Sequence, residues 1–288
     1  MFRRPRLIFE KKYAIISLKT KKKTLNYQVE TENFMICQSS TDATKNLFRD
    51  WDETMIWSCL QGVMGKIYAD DEKHPQSAMA IIGDFCFFAG VPTPQITAYK
   101  PDWCKKDFMI MTANSPDWFP VIESVYRNKA KKTTRYAMNK NPEFSIKKLM
   151  NFTQNLEPDT ILQPIDAKWF AYCRDNDWSR DFVSLYTDFD EYQKLGALGF
   201  LAVKNGKPVS GASAYSVYRN GIEIEICTKK EYRKQGLAAA CGAKLILESL
   251  KKGLNPSWDA ANPASVALAE KLGYRFNYEY TAYLIYGY

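Results

Sequence analysis

GIEIEICTKKEYRKQGLA, residues 221–238, reads as a strand that passes through a basic loop into the start of a helix. From Ile222 to Thr228 isoleucine alternates with polar residues, the period of two that a pleated strand requires. The loop from Lys229 to Gln235 then carries Lys229, Lys230, Arg233 and Lys234 and ends on Gly236. A helix start presents unpaired backbone N–H groups and the positive end of the helix dipole, both of which attract an anion. Gly236 allows close approach to the backbone, and Ala238 is too small to obstruct it. A diphosphate suits such a place.

Strand signals continue upstream. Gly199 to Lys204 and Pro208 to Tyr218 are strand-like runs separated by Asn205-Gly206, a strong hairpin signal, and Arg219-Asn220-Gly221 supplies the next turn. Three antiparallel strands are therefore expected in succession. Downstream, Gly236 to Lys252 has the apolar spacing of a helix, with Lys251 and Lys252 in its last turn and Gly253 as its stop. Pro256 to Ala260 reads as a short strand. Asn262-Pro263 opens a second helix, which Gly273 closes, and Tyr274 to Tyr286 supplies one or two final strands.

The first half is less legible. Asp50 to Tyr68 and Pro75 to Phe88 have helix-compatible spacing, and Gly90 to Pro94 is a break. Phe108 to Thr112 reads as a strand, Ser115-Pro116-Asp117 as a helix start, Arg127 to Asn141 as a polar basic region and Glu143 to Leu156 as a helix. None of these stretches names a chemistry by itself.

Composition removes several classes. The 288 residues are 46% hydrophobic and 14% aromatic, enough for a folded protein of one or two domains. Seven cysteines, an odd number without a C-x-x-C pair, indicate reduced thiols and a cytoplasmic setting. No apolar run approaches the roughly 20 residues of a membrane span, and the short apolar stretch from Tyr13 to Leu18 is no signal-peptide core. The net charge of +8 is concentrated in residues 1–34, where nine Lys or Arg face Glu10, Glu30 and Glu32. That segment is expected to be a disordered tail, with Met35 a candidate start of the folded protein, so nucleic-acid binding is not indicated. His74, the single histidine, lies in a polar loop without a ligating neighbour, and no metal is expected.

Other phosphate-binding motifs are missing from the sequence: there is neither G-x-x-x-x-G-K-[ST] nor a G-x-G-x-x-G after a strand. Instead, the R-x-x-G-x-A of Arg233 to Ala238 resembles the acetyl-CoA signature [QR]-x-x-G-x-[GA] of the GNAT superfamily. Residues Asn262, Ser265, Leu268, Lys271, Leu272, Gly273 and Tyr274 resemble its second cofactor segment. Gly221 to Ile226, Trp258 to Asn262, Trp57 to Gly62 and Gly83 to Cys86 are further similar to a bacterial two-part GNAT family that includes zwittermicin A resistance acetyltransferases.

The resemblance spans most of residues 50–288 and leaves out the basic segment at 1–34; it implies an α+β chain with a mixed α/β domain at 35–156 and an acyl-CoA N-acyltransferase (GNAT) fold at 157–288. The last would hold a mostly antiparallel mixed sheet flanked by helices. It implies transfer of an acetyl group from acetyl-CoA to a primary amine of a small molecule, such as an antibiotic. A catalytically silent acyl-CoA-binding or sensor module is the alternative. The expected partner is that amine, with neither nucleic acid nor membrane, and a homodimer stays open.

Carried over residue by residue, the resemblance implies that Ile226, Cys227 and Thr228 pair their backbone with the pantetheine arm. An N–H there would stabilise the oxyanion, an effect worth about 3 kcal/mol in comparable sites. Arg233, Lys234, Gln235, Gly236, Leu237 and Ala238 would hold the pyrophosphate, and Asn262 and Ser265 would contact the cofactor, although Asn262 is equally a plain helix cap. GNAT enzymes commonly place a glutamate base on this strand, and Glu223 and Glu225 share the face opposite Ile222, Ile224 and Ile226. Glu225 is favoured for closeness to the thioester; a solvated strand face is the bland reading of the pair.

Two departures from the family stand out. Ala269 occupies the place of the tyrosine that commonly protonates the leaving thiolate, with Tyr274, Tyr278, Tyr280 or Tyr283 as substitutes if they do more than pack. Cys227 stands where an acidic residue is expected, and reads as a small core residue rather than a nucleophile.

Overall fold

A computed structural model describes residues 36–39 and 41–288; the basic segment at 1–34 and Met35 lie outside the described residues. The first strands are β1 (Cys37–Gln38), β2 (Lys66–Ala69), β3 (Ser77–Ile82), β4 (Phe85–Gly90), β5 (Phe108–Ala113), β6 (Ala130–Met138) and β7 (Thr160–Pro164). They are followed by β8 (Gly199–Lys204), β9 (Lys207–Tyr218), β10 (Gly221–Thr228), β11 (Asn255–Ser257), β12 (Asp259–Ala260) and β13 (Phe276–Tyr286). The helices are α1 (Thr41–Thr44), α2 (Thr54–Leu60), α3 (Pro94–Thr97), α4 (Trp118–Tyr126), α5 (Ile146–Gln154), α6 (Ala167–Asp175), α7 (Phe189–Lys194), α8 (Leu237–Lys251) and α9 (Pro263–Leu272).

Two sheets organise the chain, in the orders β1-β2-β3-β4-β5-β13-β6-β12 and β11-β10-β9-β8-β7. Only the β4–β5 and β10–β11 pairings among the described ladders are parallel. Strand β13, from the far end of the chain, inserts between β5 and β6, so sheet pairing runs across residue 156. Helix α8 packs on the second sheet, and α9 packs on α8 and on β6 and β12 of the first; Cys241, Leu245, Ile246 and Leu272 share a core with Leu201, Ala212 and Ile222. The first sheet packs Ile56 and Phe87 on one face, and Trp118 and Phe88 on the other.

The three expected strands form as β8, β9 and β10. Asn205 and Gly206 both take positive φ, 49° and 76°, the backbone that a tight two-residue hairpin demands. The end of the chain is one strand, β13, rather than two.

The first half differs from expectation in instructive ways. Pro75 to Phe88 is not a helix but most of the hairpin β3–β4, turned at Gly83-Asp84 with Gly83 at φ 58°. Every residue of β3 is buried, and a strand covered on both faces loses the alternation that would have revealed it. Of the stretch from Asp50 to Tyr68, only Thr54–Leu60 is helical, and its end becomes β2. The polar region from Arg127 to Asn141 is largely β6, in which Lys131 and Lys132 are exposed while Arg135, Ala137 and Met138 are buried. The short strand expected from Pro256 to Ala260 is divided at Trp258: β11 joins the second sheet and β12 joins the first.

That division opens a cleft. Strand β11 pairs with β10 only along Gly221 to Glu223, so among the described ladders Ile224 to Thr228 have no strand beside them on that side. Across β10, Glu223 lies opposite Ser216 and Ile224 opposite Ala214, which makes Tyr215 the extra residue of a bulge in β9.

Candidate active site

A cavity of about 850 Å³ occupies the space between the diverging strands. The sequence-predicted residues Glu223, Glu225, Ile226, Cys227 and Thr228 line it from β10. Arg233, Lys234, Gly236, Leu237 and Ala238 line it from the entry to α8, and Asn262 and Ser265 from the entry to α9. Gln235 is not among its lining residues; it sits exposed on the loop.

At the α8 end the site is a backbone feature. Gly236 takes φ 81° at the N-cap, and no side chain caps the helix. A Cβ added at Gly236 would meet nothing within 4 Å, so the backbone there faces open space. The free N–H groups of the first turn are thus available to an anion, beside the exposed Arg233 and Lys234. Lys234 itself holds a positive φ of 63°, unusual for a side-chain-bearing residue. The Arg233 Nε donates to the Thr228 carbonyl at 3.2 Å, tying the loop to the end of β10. Asn262 is a helix cap, as one of its two readings required: its side chain accepts from the Ser265 N–H at 3.0 Å. Trp258 Nε1 donates to Ser265 Oγ at 3.1 Å and holds α9 against the strand crossing.

The two glutamates share a face but not an environment. Ile222 and Ile224 enter the core under α8, whereas Glu223 turns toward α2, where Thr54 Oγ1 donates to its Oε2. Glu223 is 3% exposed, and its Oε1 has no hydrogen-bond partner. Close to it lies a buried network: Lys140 Nζ donates to Ser257 Oγ at 3.1 Å and stands 3.8 Å from Glu53, the cap of α2. Burial drives the Glu53 carboxyl up to about 7, against the pull of Lys140 and with the help of Glu223 and Asp259. Glu225 is half-buried. Its carboxyl is pushed up to about 8, first by burial and then by the negative charges of Asp181 and Asp84, with Arg135 opposing.

Arg135 is committed elsewhere. It forms a 2.5 Å ion pair with Asp259, its Nε donates to the same carboxylate at 2.7 Å, and Tyr280 donates to the other oxygen at 2.8 Å. Burial works to lower the guanidinium, and the Asp259 charge outweighs it, so Arg135 stays a cation. Its guanidinium also lies 5.0 Å from the centre of the Phe85 ring.

Several lining residues do not stand out as site residues in the sequence: Asp84, Phe85, Ile110, Arg135, Asp181 and Tyr215, of which Asp84 and Phe85 fall only within the stretch Gly83 to Cys86 that resembles the family. The first half, which named no chemistry, supplies four of them. Asp84 also has a local clue, its place after glycine in an apolar run, the mark of a hairpin turn.

The candidate substitutes for the thiolate's proton donor do not reach the cavity. Tyr274 donates to the Pro256 carbonyl, Tyr280 to Asp259 and Tyr283 to Glu123, and Tyr278 is not a lining residue. Ala269 is fully buried in the core. Cys227 lines the cavity, but burial and then Glu225 push its thiol up, which keeps it protonated and a poor nucleophile. His74 is exposed. Among the described residues no cluster of His, Cys, Asp or Glu is placed to hold a metal ion, and no helix is long and apolar enough to cross a membrane.

Fold and cleft together define an N-acetyltransferase of the GCN5-related kind. The model of the GNAT acetyltransferase family matches residues 45–283, and the chain belongs to that family. It is 28% identical over 263 residues to the uncharacterized N-acetyltransferase YdfB of Bacillus subtilis (strain 168), covering 83% of this chain and 93% of that protein. A GCN5-related N-acetyltransferase-like protein from Streptococcus suis 89/1591 superposes with a TM-score of 0.80 at 41% identity, over 85% of this chain and 97% of the other. A Drosophila protein matches at TM-score 0.51 and 11% identity, over 85% of this chain and 94% of its own, a likeness of fold alone.

Proposed function

We propose that this N-acetyltransferase takes acetyl-CoA as donor and a primary amine of a small molecule as acceptor, and that both meet in the cavity along β10. The observation that carries the reading is the arrangement of one continuous cavity. Basic residues and an uncapped helix start stand at one end, a strand edge without a partner in the middle, and a half-buried carboxyl of raised pKa beside it.

The donor supplies an acetyl group on a thioester, whose C–S bond breaks as the C–N bond forms. Arg233, Lys234 and the first-turn N–H groups of α8 hold the diphosphate, and Gly236 leaves it room. The free backbone of Ile226 to Thr228 holds the pantetheine arm as a neighbouring strand would, with an N–H to stabilise the developing oxyanion. Glu225 accepts the proton that the amine nitrogen loses. Its carboxyl is half open to the cavity, whereas Glu223 is deeper and already held by Thr54. At neutral pH burial keeps a proton on Glu225, and an arriving ammonium beside it favours the ionised form, so the base is readied by its own substrate.

Thiol release from acetyl-CoA, followed across a panel of primary amines with the product weighed by mass spectrometry, tests the reading. One thiol is expected per amide formed. Saturable acetyl-CoA binding with no amide from any amine would instead identify a silent acyl-CoA sensor.

A further inference from the structure

Around Glu225 the described lining of the cavity is rich in carboxyl groups. Asp84 reaches it from the β3–β4 turn, Asp181 from the segment after α6, and Glu223 and Glu225 from β10. The basic residues lining the same cavity are Arg135, Arg233, Lys234 and Lys271. Arg135 is consumed by Asp259, Arg233 and Lys234 stand on the loop before α8, and the Lys271 ammonium lies over the Phe152 ring at 5.2 Å. Four carboxyl groups thus line one half-open cavity; Arg135 acts on Glu225, Lys140 lies near Glu223, and Lys106 and Arg180, neither of them a lining residue, act on Asp181.

Asp84 is placed rather than incidental. Tyr215, the extra residue of the β9 bulge, donates its hydroxyl to the Asp84 carboxylate and accepts from the Asp84 N–H at 3.2 Å. Gly83 makes this reach possible, since a Cβ there would fall 2.3 Å from the Tyr215 hydroxyl. Asp181 is exposed at the rim, and desolvation followed by the charge of Asp84 raises its carboxyl. Glu223 adds an independent sign: it lines the same cavity, and its buried Oε1 has no hydrogen-bond partner. A buried, unpaired carboxyl oxygen is costly unless a ligand brings a hydrogen and positive charge.

We propose that the acceptor carries at least two amino groups, one presented to Glu225 for acetylation and a second, protonated, held between Asp84 and Asp181. The inference rests on the amine-acceptor reading above and narrows it from amines to di- and polyamines, free or built into a larger molecule. The mono-acetylated product keeps one cation, and so loses half of the charge that bound it, which favours its release.

The test compares 1,4-diaminobutane with 4-amino-1-butanol, which exchanges the second ammonium for a neutral hydroxyl of similar size. Both kcat/KM with acetyl-CoA and Kd for the CoA-saturated protein are measured, at low and high salt. The diamine is expected to be favoured by about tenfold or more in both, the preference shrinking with salt. In Asp181→Asn the ratio of the two amines falls toward one. Asp84→Asn does the same, with its thermal melt recorded because the Tyr215 contact is altered too. Equal values for the two amines, or a ratio unchanged in Asp181→Asn, overturn the proposal while leaving amine acetylation intact. If neither amine is acetylated yet the diamine still binds preferentially through Asp181, the dication site stands and the acetyl-transfer reading is the one that fails.

Discussion

At the end of the cleft proposed for the acyl donor, consecutive residues from Arg233 to Ala238 supply charge, a glycine and the free N–H groups of α8. At the end proposed for the acceptor, Asp84, Arg135, Asp181 and Glu225 come from separate segments in both halves of the chain. The donor end works through backbone, and its charged side chains, Arg233 and Lys234, lie exposed. The acceptor end works through side chains whose charges set one another, with Arg135 buried, Asp84 and Glu225 half-buried and Asp181 exposed. A backbone site tolerates changes of side chain and binds one invariant group, whereas a side-chain site is specific and fragile. Substitutions at the two ends should therefore fail in different kinetic parameters.

The largest effect is expected at Glu225. Glu225→Gln keeps the shape and removes the base, so kcat should fall by roughly 10²–10⁴ while the Kd for acetyl-CoA stays within about twofold. A comparable loss of acetyl-CoA affinity in this variant would show that the two ends are not separable.

Next comes Arg135. Arg135→Ala leaves Asp259 buried without its cation, a change that costs about 3–5 kcal/mol of stability in comparable pairs. It also withdraws the positive charge that holds the Glu225 carboxyl down. Denaturant unfolding should show the loss, and a shift in midpoint corresponding to under about 1 kcal/mol would mean that Tyr280 and solvent suffice for Asp259.

The same contrast explains what the sequence made legible. Strands β8, β9 and β10, the basic loop and the starts of α8 and α9 are local features, each signalled by neighbours within a few residues. The β3–β4 hairpin was hidden because burial on both faces erases alternation. The splitting of Pro256 to Ala260 between two sheets follows from pairing with distant strands, which no local pattern records. Asp84 and Asp181 become partners of Glu225 only once the two halves fold together. Their residue types were visible, but their company was not.

A smaller effect is expected at the donor end. Gly236→Val places a branched side chain at φ 81°, where the cost is about 1–2 kcal/mol, and in the open space before the first turn of α8. The KM for acetyl-CoA should rise by about tenfold with a lesser change in kcat, and amine selectivity should be untouched. Equal falls in kcat and kcat/KM with an unchanged KM would place Gly236 among the residues that act only in the transition state.

The smallest effect separates catalysis from stability at one residue. Glu225 binds its proton more tightly in the fold, about 8, than in the unfolded chain, where the ordinary value is 4.5. Between those values the unfolded chain is the one that releases its proton, so this carboxyl contributes less stability as pH rises from 4.5 to about 8. Its activity runs the other way, because only the ionised form accepts a proton, and kcat/KM should fall as pH drops through about 8. Glu53, raised to about 7 by burial, adds to the loss of stability but belongs to the α2 cap rather than the cavity lining. Glu225→Gln should accordingly melt at a higher temperature than the parent at pH 8, by on the order of 1 kcal/mol since part of the side chain meets solvent. The difference should vanish below pH 4.5. A variant that is inactive and equally or less stable at pH 8 would contradict the raised carboxyl, whereas one that is inactive and more stable shows that the fold gives up stability to keep a base there.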